Sequence, residues 1–361
     1  LLRHYVALSL ILTLIISLLL TIPTVTASRL LLAWMHTPEN IIAMADAYIK
    51  VIFAGILLTM AYNVLSGILR GIGDSRTPLY FLILSSVLNI ILDVVLIVYT
   101  GLGTAGAAYA TIIAQGVSAV LCFFYMYRKY DILRTRHEDY YLDSAGVKNM
   151  LAIGVPMALN YSITAIGTMI MQSAVNVFGS SVVAAFTAAS KVSNIATQSM
   201  PTLGTAIATY CGQNLGAGKY DRIYAGMRQG LFLCFGAAAA AAAICIFGGR
   251  FIVSWFVSNP SEEIFSSAMQ YLTIASWFFL PLAMIFLYRN ALQGLDQGLI
   301  PMLSGVVELA CRFGVIALIP ASTGFFGVCF ADPAAWAGAG IPLFITYLLW
   351  EHRMKQCSMA V

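Results

Sequence analysis

The sequence is dominated by apolar runs that are too long for the helices of a water-soluble domain. Each run has about 18–28 residues, and about 20 helical residues are needed to cross a hydrocarbon core of about 30 Å. Only 9% of the residues are charged, against about 25% in soluble domains. The short alternating segments of an outer-membrane barrel are missing from the sequence. These features predict an all-α polytopic membrane protein.

Ten membrane spans are predicted from the apolar runs. They cover about 5–27, 42–67, 78–99, 104–127, 149–177, 182–211, 229–257, 264–290, 299–320 and 325–350. A polar, densely charged stretch separates the fourth span from the fifth. We therefore divide the chain into an N-lobe of four spans (1–127), a cytoplasmic linker (128–148), a C-lobe of six spans (149–350) and a cytoplasmic tail (351–361).

Lysine and arginine are concentrated on one side of these spans. That side holds Arg3, Arg70, Arg76, Arg128, Lys129, Arg134, Arg136, Lys148, Lys219, Arg222, Arg228, Arg289, Arg353 and Lys355. The loops of the opposite side hold only Arg29 and Arg250. Because cytoplasmic loops carry an excess of lysine and arginine, we expect a plasma (inner) membrane protein with a cytoplasmic C-terminus.

The chain contains an internal repeat. The turn "LRGIGDSRTP" (69–78) and the turn "LQGLDQGLIP" (292–301) each lie between two apolar runs, and Leu69, Gly71 and Pro78 match Leu292, Gly294 and Pro301 at a constant offset of 223. Six predicted spans separate the two copies, so both have the same orientation in the membrane. Such parallel repeats are typical of the halves of several secondary transporters.

The repeat also predicts that part of the first copy is missing. The fifth and sixth spans (149–211) have no counterparts earlier in the chain. If the repeating unit has six helices, the first copy lacks two of them. We therefore expect this chain to be an N-terminal truncation of a twelve-helix protein.

Two segments resemble a known family. "SGILRGIGDSRTP…LNIILDVVLI…GLGTAGAAYATIIAQ" (66–115) is similar to the fourth to sixth helices of the multidrug and toxic compound extrusion (MATE) family. "IGVPMALN…SSVVAAFTAASKVSNIATQSMPTLGTAIATYCGQNLGAGKYDR" (153–222) is similar to that family's seventh and eighth helices. The ending "GQNLGAGKYDR" is the most specific part of the resemblance, which covers essentially the whole chain.

The resemblance implies a two-lobed bundle of parallel six-helix repeats with a central cavity, of which ten spans are present. It implies secondary active efflux of small organic cations and drugs in exchange for H⁺ or Na⁺, by alternating access in a lipid bilayer. No cofactor beyond the coupling ion, no nucleic acid, no nucleotide and no enzymatic activity are expected, and the protein is expected to be a monomer. By this resemblance the missing helices would include an acidic residue tied to ion coupling.

One acidic residue of the N-lobe is the main candidate for ion coupling. Asp93 follows Asn89 by one helical turn within the apolar stretch "LNIILDVVLI". A carboxyl group at bilayer depth is costly and is by default a functional candidate. The resemblance also supports this Asn-x-x-x-Asp pair. An aspartate that bonds a neighbouring helix only for packing is the alternative.

The C-lobe offers three further charged residues within spans. Glu308 and Arg312 have i, i+4 spacing, which favours an ion pair within one helix; its role would be structural or lie in an ion path. Lys191 is expected to be a lone buried lysine that serves either as a charge relay or as a structural partner.

Uncharged side chains are candidates for lining a drug cavity. The set is Asn160, Tyr161, Thr164, Gln172, Asn176, Asn194, Gln198, Met157, Met171 and Met200. Gln172–Asn176 and Asn194–Gln198 have i, i+4 spacing, as a cavity-facing stripe would. Interhelical hydrogen bonds or plain core contact explain the set equally well.

The sequence leaves two alternative functions open. A flippase for lipid-linked precursors of the same broader superfamily would need several cations for an anionic pyrophosphate, and only Lys191 and Arg312 are available within spans. The only sequence argument against a non-transporting membrane scaffold is the presence of charged side chains at bilayer depth. No metal site is expected, because the cysteines form no CxxC pair and the histidines, including His36, fall at span ends or in loops.

Overall fold

A computed structural model of the protein describes residues 2–34, 37, 39–257, 261–319 and 321–359. His36 and the Cys357 side chain lie outside this described part. Within it the secondary structure is helical throughout, with no strand. The chain divides into two compact units, unit 1 (Leu1–Lys148) and unit 2 (Asn149–Val361).

The helices of unit 1 correspond to the predicted spans of the N-lobe, except the short helix Ser28–Trp34, which lies between the first two spans. They are α1 (Leu2–Thr26), α2 (Ser28–Trp34), α3 (Glu39–Ala54), α4 (Ile56–Gly71), α5 (Arg76–Val94) and α6 (Gly103–Lys129). A π-helical stretch, Val95–Tyr99, continues α5. The polar segment after α6 contains two short 3₁₀ turns, Asp131–Leu133 and His137–Asp139.

Unit 2 contains the remaining helices of the described chain. They are α7 (Ser144–Asn176), α8 (Ser180–Thr197), α9 (Ser199–Gly216), α10 (Tyr220–Ala243), α11 (Gly249–Val253), α12 (Glu262–Trp277), α13 (Phe279–Gly294), α14 (Leu299–Leu318), α15 (Gly324–Val328) and α16 (Ala331–Met359). The first residues of α7 belong to unit 1. The helix of the last predicted span does not end at 350, since α16 continues without a break into the predicted tail.

Most of these helices are long and apolar enough to cross a membrane. Among the described residues, seven helices have the length and composition needed to cross a membrane. The number rises to nine when each of two sharply bent helix pairs is taken as one span. The predicted span 182–211 corresponds to α8 and α9, which are not among the nine. A polytopic helical membrane protein is confirmed, and the count of ten spans stays a prediction.

The internal repeat reappears in the helix bounds. Adding 223 to the bounds of α3 and α4 gives the bounds of α12 and α13. Both pairs are bent at the same repeat position, by 45° at Gly55 and by 52° at Phe278. Because the bend occurs at the same repeat position in both copies, it supports the interpretation that the two copies are one structural unit used twice.

The repeated turn is stabilised differently in each copy. In unit 1 the Asp74 carboxylate accepts hydrogen bonds from the Thr77 backbone N–H and hydroxyl, at 3.1 and 2.8 Å, and from the Tyr130 hydroxyl at 2.7 Å. Lys129 Nζ lies 3.9 Å from the same carboxylate. In unit 2 the corresponding position is Gln297, and Gly294 permits the helix to approach the Ala208 carbonyl where a Cβ would collide.

Apolar side chains both fill the cores and cover the outside. Unit 2 has a large core, which includes Phe279, Leu287 and Met200, and unit 1 has a smaller one around Leu69 and Met126. Along α5 most large apolar residues are exposed, among them Ile83 and Ile90 at 53% and 64%. Such a face is expected where lipid replaces water as the solvent.

The hydrogen bonds to Asp74 make its charge part of the fold. Burial alone would raise the pKa of Asp74, but the hydrogen bonds from Tyr130 and Thr77 outweigh it, so the pKa lies below its usual value of 3.8. A carboxyl group whose pKa is lower in the native state than in the unfolded state stabilises the native state at pH values above its unfolded pKa. This contribution is lost as the pH falls through the native pKa.

We expect Asp74→Asn to lower the free energy of unfolding by about 1–3 kcal/mol, because the charge-assisted bonds to Thr77 and Tyr130 are lost. The melting temperature in detergent micelles at neutral pH measures the change. Gln297→Ala, at the exposed repeat-related position, is the control and should leave the melting temperature unchanged. Equal melting temperatures for wild type and Asp74→Asn would contradict this role of Asp74.

Candidate functional site

A cluster of buried ionised side chains lies inside unit 2. Arg312 is 4% exposed and donates from Nε to Asp332 Oδ1 at 2.9 Å and from Nη2 to Glu308 Oε1 at 3.3 Å. Arg289 donates from Nη2 to Glu308 Oε2 at 3.0 Å. The Tyr271 hydroxyl donates to Asp332 Oδ2 at 2.9 Å. We call Arg289, Glu308, Arg312 and Asp332 the charge cluster.

The charge cluster ties four helices of unit 2 together. Glu308 and Arg312 lie one turn apart on α14, which confirms the predicted ion pair within one helix. Asp332 comes from the first turn of α16, and Arg289 from the last part of α13. Tyr271 adds α12, the other half of the bent pair. Each carboxylate oxygen of Glu308 and Asp332 therefore accepts at least one hydrogen bond.

A glycine on α7 makes room for the central guanidinium. A Cβ at Gly167 would collide with Nη1 of Arg312. That Nη1 atom is buried and makes no hydrogen bond with the described residues, and the same holds for Nε of Arg289. The charge cluster thus balances its charges but leaves two guanidinium donors without acceptors.

The charge cluster forms one wall of a cavity of about 440 Å³ within unit 2. Polar and aromatic side chains form the rest. The lining includes Asn160, Tyr161, Thr164, Thr168, Met171, Gln172, Phe186, Ser190, Ser193, Asn194, Thr197, Tyr271, Phe286 and Trp336 beside the charge cluster. Tyr161 is 72% exposed, whereas Met171 is 2% exposed, so the lining runs from the surface to the core.

Part of the predicted cavity set lies elsewhere. The lining does not include Asn176, Gln198, Met157 or Met200. Met200 is fully buried in the hydrophobic core. Asn176 accepts a hydrogen bond from Gln172 on the same helix at 3.0 Å. Gln198 lies at the break between α8 and α9.

The expectation of a buried lysine is wrong. Lys191 is exposed, and its Nζ lies 5.5 Å from the centroid of the Phe256 ring. It does not line the cavity and does not contact the charge cluster. Its position within the predicted span 182–211 suggested burial, but α8 turns this residue away from the packed face.

Asp332 and Arg289 were missed as site residues. Asp332 stands within a predicted span, and an acidic residue inside an apolar run is the signal that identified Asp93. Arg289 was counted with the lysine- and arginine-rich side, at the end of the predicted span 264–290, whereas its side chain is 11% exposed and pairs with Glu308. Since their partners come from other helices, spacing along the sequence does not reveal these contacts.

Asp93 and Asn89 lie in unit 1, on α5. The Asn89 side chain donates to the Thr111 hydroxyl of α6 at 3.4 Å. Asp93 is half-buried, and its Oδ1 atom is fully buried without a hydrogen-bond partner in the described structure. The π-helical stretch Val95–Tyr99 begins two residues later. Asn89 and Asp93 thus share one helix, with no hydrogen bond between their described side chains.

Comparisons with known proteins point to one family. The family model MatE matches residues 1–95 and 156–318. The chain is 29% identical over 306 residues to the Probable multidrug resistance protein YpnP of Bacillus subtilis (strain 168), covering 83% of this chain and 67% of that protein. It is 30% identical over 253 residues to YoeA, a Probable multidrug resistance protein of the same organism, covering 68% of this chain and 52% of the relative. The chain therefore spans about half to two thirds of the curated relatives it matches.

The fold is also that of solved structures. The crystal structure of MATE in complex with MaL6 matches with a TM-score of 0.90. The match covers 98% of this chain and 80% of that one at 22% sequence identity. At this identity the likeness shows the fold alone.

We expect Gly167→Ala to displace the Arg312 guanidinium and to lower the free energy of unfolding by about 1–3 kcal/mol, as overpacking does. Thermal unfolding in detergent measures the change. Gly154→Ala is the matched control on the same helix, where an added Cβ meets nothing within 4 Å. It should not lower the stability. If both variants melt at the wild-type temperature, the close packing of Arg312 on Gly167 is wrong.

Proposed function

The chain belongs to the MatE family, and on this premise we propose that it is a secondary active exporter of cationic amphipathic compounds. Export is exchanged for H⁺ or Na⁺ and proceeds by alternating access. The protein acts in the plasma (inner) membrane with its C-terminus in the cytoplasm. The transported compounds are small organic cations, and no nucleotide takes part.

The single observation that supports ion coupling most strongly is the free carboxylate oxygen of Asp93. Oδ1 of Asp93 is buried and accepts no hydrogen bond from the described residues. An ionised carboxylate without a partner at membrane depth is costly. Binding a proton or a cation removes this cost, so occupancy of Asp93 by the coupling ion is favourable. Asn89, one turn away, is positioned to contribute an amide oxygen if the ion is Na⁺.

The carboxylates of unit 2 are less suited to this task. Glu308 and Asp332 are each paired with arginine, and all four of their carboxylate oxygens already accept hydrogen bonds. Protonation there would break existing charge-assisted bonds, which are about twice as strong as neutral ones. We therefore assign Glu308 and Arg312 a structural role and leave the coupling role to Asp93. Lys191, being exposed, is not part of a relay with them.

The cavity of unit 2 is the part of the chain best suited to contact an exported compound. Its amides and hydroxyls, such as Asn160 and Gln172, offer hydrogen bonds. Its aromatic side chains, such as Phe186 and Trp336, offer flat apolar faces to a ring system. Met171 adds an adaptable apolar surface.

The flippase alternative receives less support. Arg289 supplies a further cation within a span, as a pyrophosphate-binding cavity would need. However, Arg289 and Arg312 face Glu308 and Asp332, so the cavity wall has no excess of positive charge. An anionic pyrophosphate would have to displace two carboxylates, which favours the exporter.

We expect Asp93→Asn to reduce gradient-driven ethidium efflux from proteoliposomes at least about tenfold. This loss corresponds to about 1.4 kcal/mol in the interaction of the coupling ion with Asp93. The asparagine cannot be protonated, so the ion gradient loses its acceptor. Efflux is measured with a pH gradient and, separately, with a sodium gradient, and the gradient that drives the wild type identifies the ion.

Asp46→Asn is the matched control, since Asp46 is already paired with Lys50 at 2.6 Å and with the Ser28 hydroxyl. This variant should retain gradient-driven efflux. Full gradient-dependent efflux by Asp93→Asn would contradict the coupling role. A wild-type chain that exports under neither gradient would contradict the exporter proposal for this chain.

A further inference from the structure

A second concave site lies on unit 2, between α10 and the C-terminal part of α16, with α13 as its floor. We call it the α10–α16 groove. It has a volume of about 480 Å³ and shares no lining residue with the cavity described above. Tyr224, Tyr288, Tyr347, Glu351 and Lys355 are among its lining residues.

Aromatic rings from three helices form the deep wall of the groove. Tyr288 and Tyr347 are each 4% exposed, and their ring centroids are 5.4 Å apart. Trp350 does not line the groove but supports its rings, with its centroid 6.1 Å from that of Tyr347 and 6.5 Å from that of Tyr224. Aromatic faces arranged around a pocket are the surfaces on which organic cations are bound.

An ammonium group already occupies this position. Nζ of Lys355 lies 4.9 Å from the centroid of the Tyr224 ring, within the range of a cation–π interaction. The same Nζ forms an ion pair with Glu351, one turn earlier on α16. A lysine side chain is a primary ammonium on a flexible stem, so the contacts of Lys355 show which chemistry the groove accepts.

Two tyrosine hydroxyls of the groove remain without partners. Oη of Tyr224 and Oη of Tyr347 are buried and make no hydrogen bond with the described residues. A buried hydroxyl that is left unsatisfied is unfavourable. A ligand that fills the groove and brings a hydrogen-bonding group would satisfy them.

The charged side chains of the groove determine whether it favours a cationic or an anionic ligand. Asp221 and Glu351 are balanced by Arg228 and Lys355. If the Lys355 ammonium swings out towards solvent, where half of its side chain already lies, the groove keeps two carboxylates and one guanidinium. The remaining net negative charge favours a cation.

We propose that the α10–α16 groove is a binding site for an organic ammonium ion, and that Lys355 is a tethered competitor that such an ion displaces. Glu351 pairs with the ammonium group, and the ring of Tyr224 covers it. The site is additional to the exporter activity proposed above and does not depend on Asp93.

The experiment measures choline binding to the full chain in maltoside micelles by saturation-transfer NMR. The neutral isostere 3,3-dimethyl-1-butanol, which has carbon in place of nitrogen, is measured in parallel. Lys355→Ala should bind choline about 5-fold more tightly than wild type, a gain of about 1 kcal/mol. Adding Glu351→Gln to Lys355→Ala should reverse this gain, and the isostere should respond to neither substitution.

Arg353→Ala is the matched control, because Arg353 lies on the same helix, is exposed and does not line the groove. It should leave choline affinity unchanged. The proposal is overturned if Lys355→Ala does not tighten choline binding, if Glu351→Gln has no effect, or if the isostere binds as choline does. Because these substitutions are at the surface, a melting temperature equal to wild type verifies that each variant is folded.

A trimethylammonium group can come from a free ion or from a phospholipid headgroup. Glycerophosphocholine, measured beside choline with the Lys355→Ala variant, separates the two sources. Tighter binding of choline than of glycerophosphocholine supports the free ion, since the phosphate of glycerophosphocholine would approach the carboxylates of Glu351 and Asp221. Tighter binding of glycerophosphocholine overturns the free ion as the ligand.

Discussion

The guanidinium of Arg312 is the contact on which the packing of unit 2 depends. It is almost fully buried and bridges Glu308 on its own helix to Asp332 on α16, while Arg289 of α13 pairs with the other oxygen of Glu308. Removing one partner of such a set would leave a charge buried without compensation, which costs about 3–5 kcal/mol. The ion pairs therefore fix how α13, α14 and α16 meet, and the cavity is formed against them.

The two copies of the repeat solve the same packing problem with different electrostatics. At the offset of 223, Arg289, Glu308, Arg312 and Asp332 correspond to Ser66, Ser85, Asn89 and Tyr109, which are all uncharged. The equivalence holds to the ends of the helices, since Gly101 and Gly324 both have positive φ, at 68° and 57°. In the other direction, Asp93 corresponds to Ile316. One copy thus holds a neutralised charge cluster, and the other holds Asp93, whose buried Oδ1 accepts no hydrogen bond from the described residues and which is the better candidate for a coupling ion.

Sequence periodicity predicted what lies within one helix and failed where contacts join different helices. The ion pair Glu308–Arg312 follows from i, i+4 spacing and is confirmed, whereas of the pair Gln172–Asn176 only Gln172 lines the cavity. The contact of Arg289 with Glu308 was not predicted, and the expectation that Lys191 is buried was wrong, because burial depends on which face of a helix meets its neighbours. The bend at Phe278 is marked by Pro281, which cannot donate a hydrogen bond to the carbonyl of Trp277, whereas the repeat-related bend lies at Gly55. The coupling role of Asp93 stays a prediction.

The affinity for tetraphenylphosphonium at varied pH and sodium concentration tests the central claim most directly. If Asp93 binds the coupling ion in exchange for a cationic compound, the wild-type affinity falls as the concentration of the coupling ion rises. The Asp93→Asn variant should bind with an affinity that is independent of both pH and sodium. An unchanged ion dependence in Asp93→Asn would contradict the account, as would a wild type that responds to neither ion.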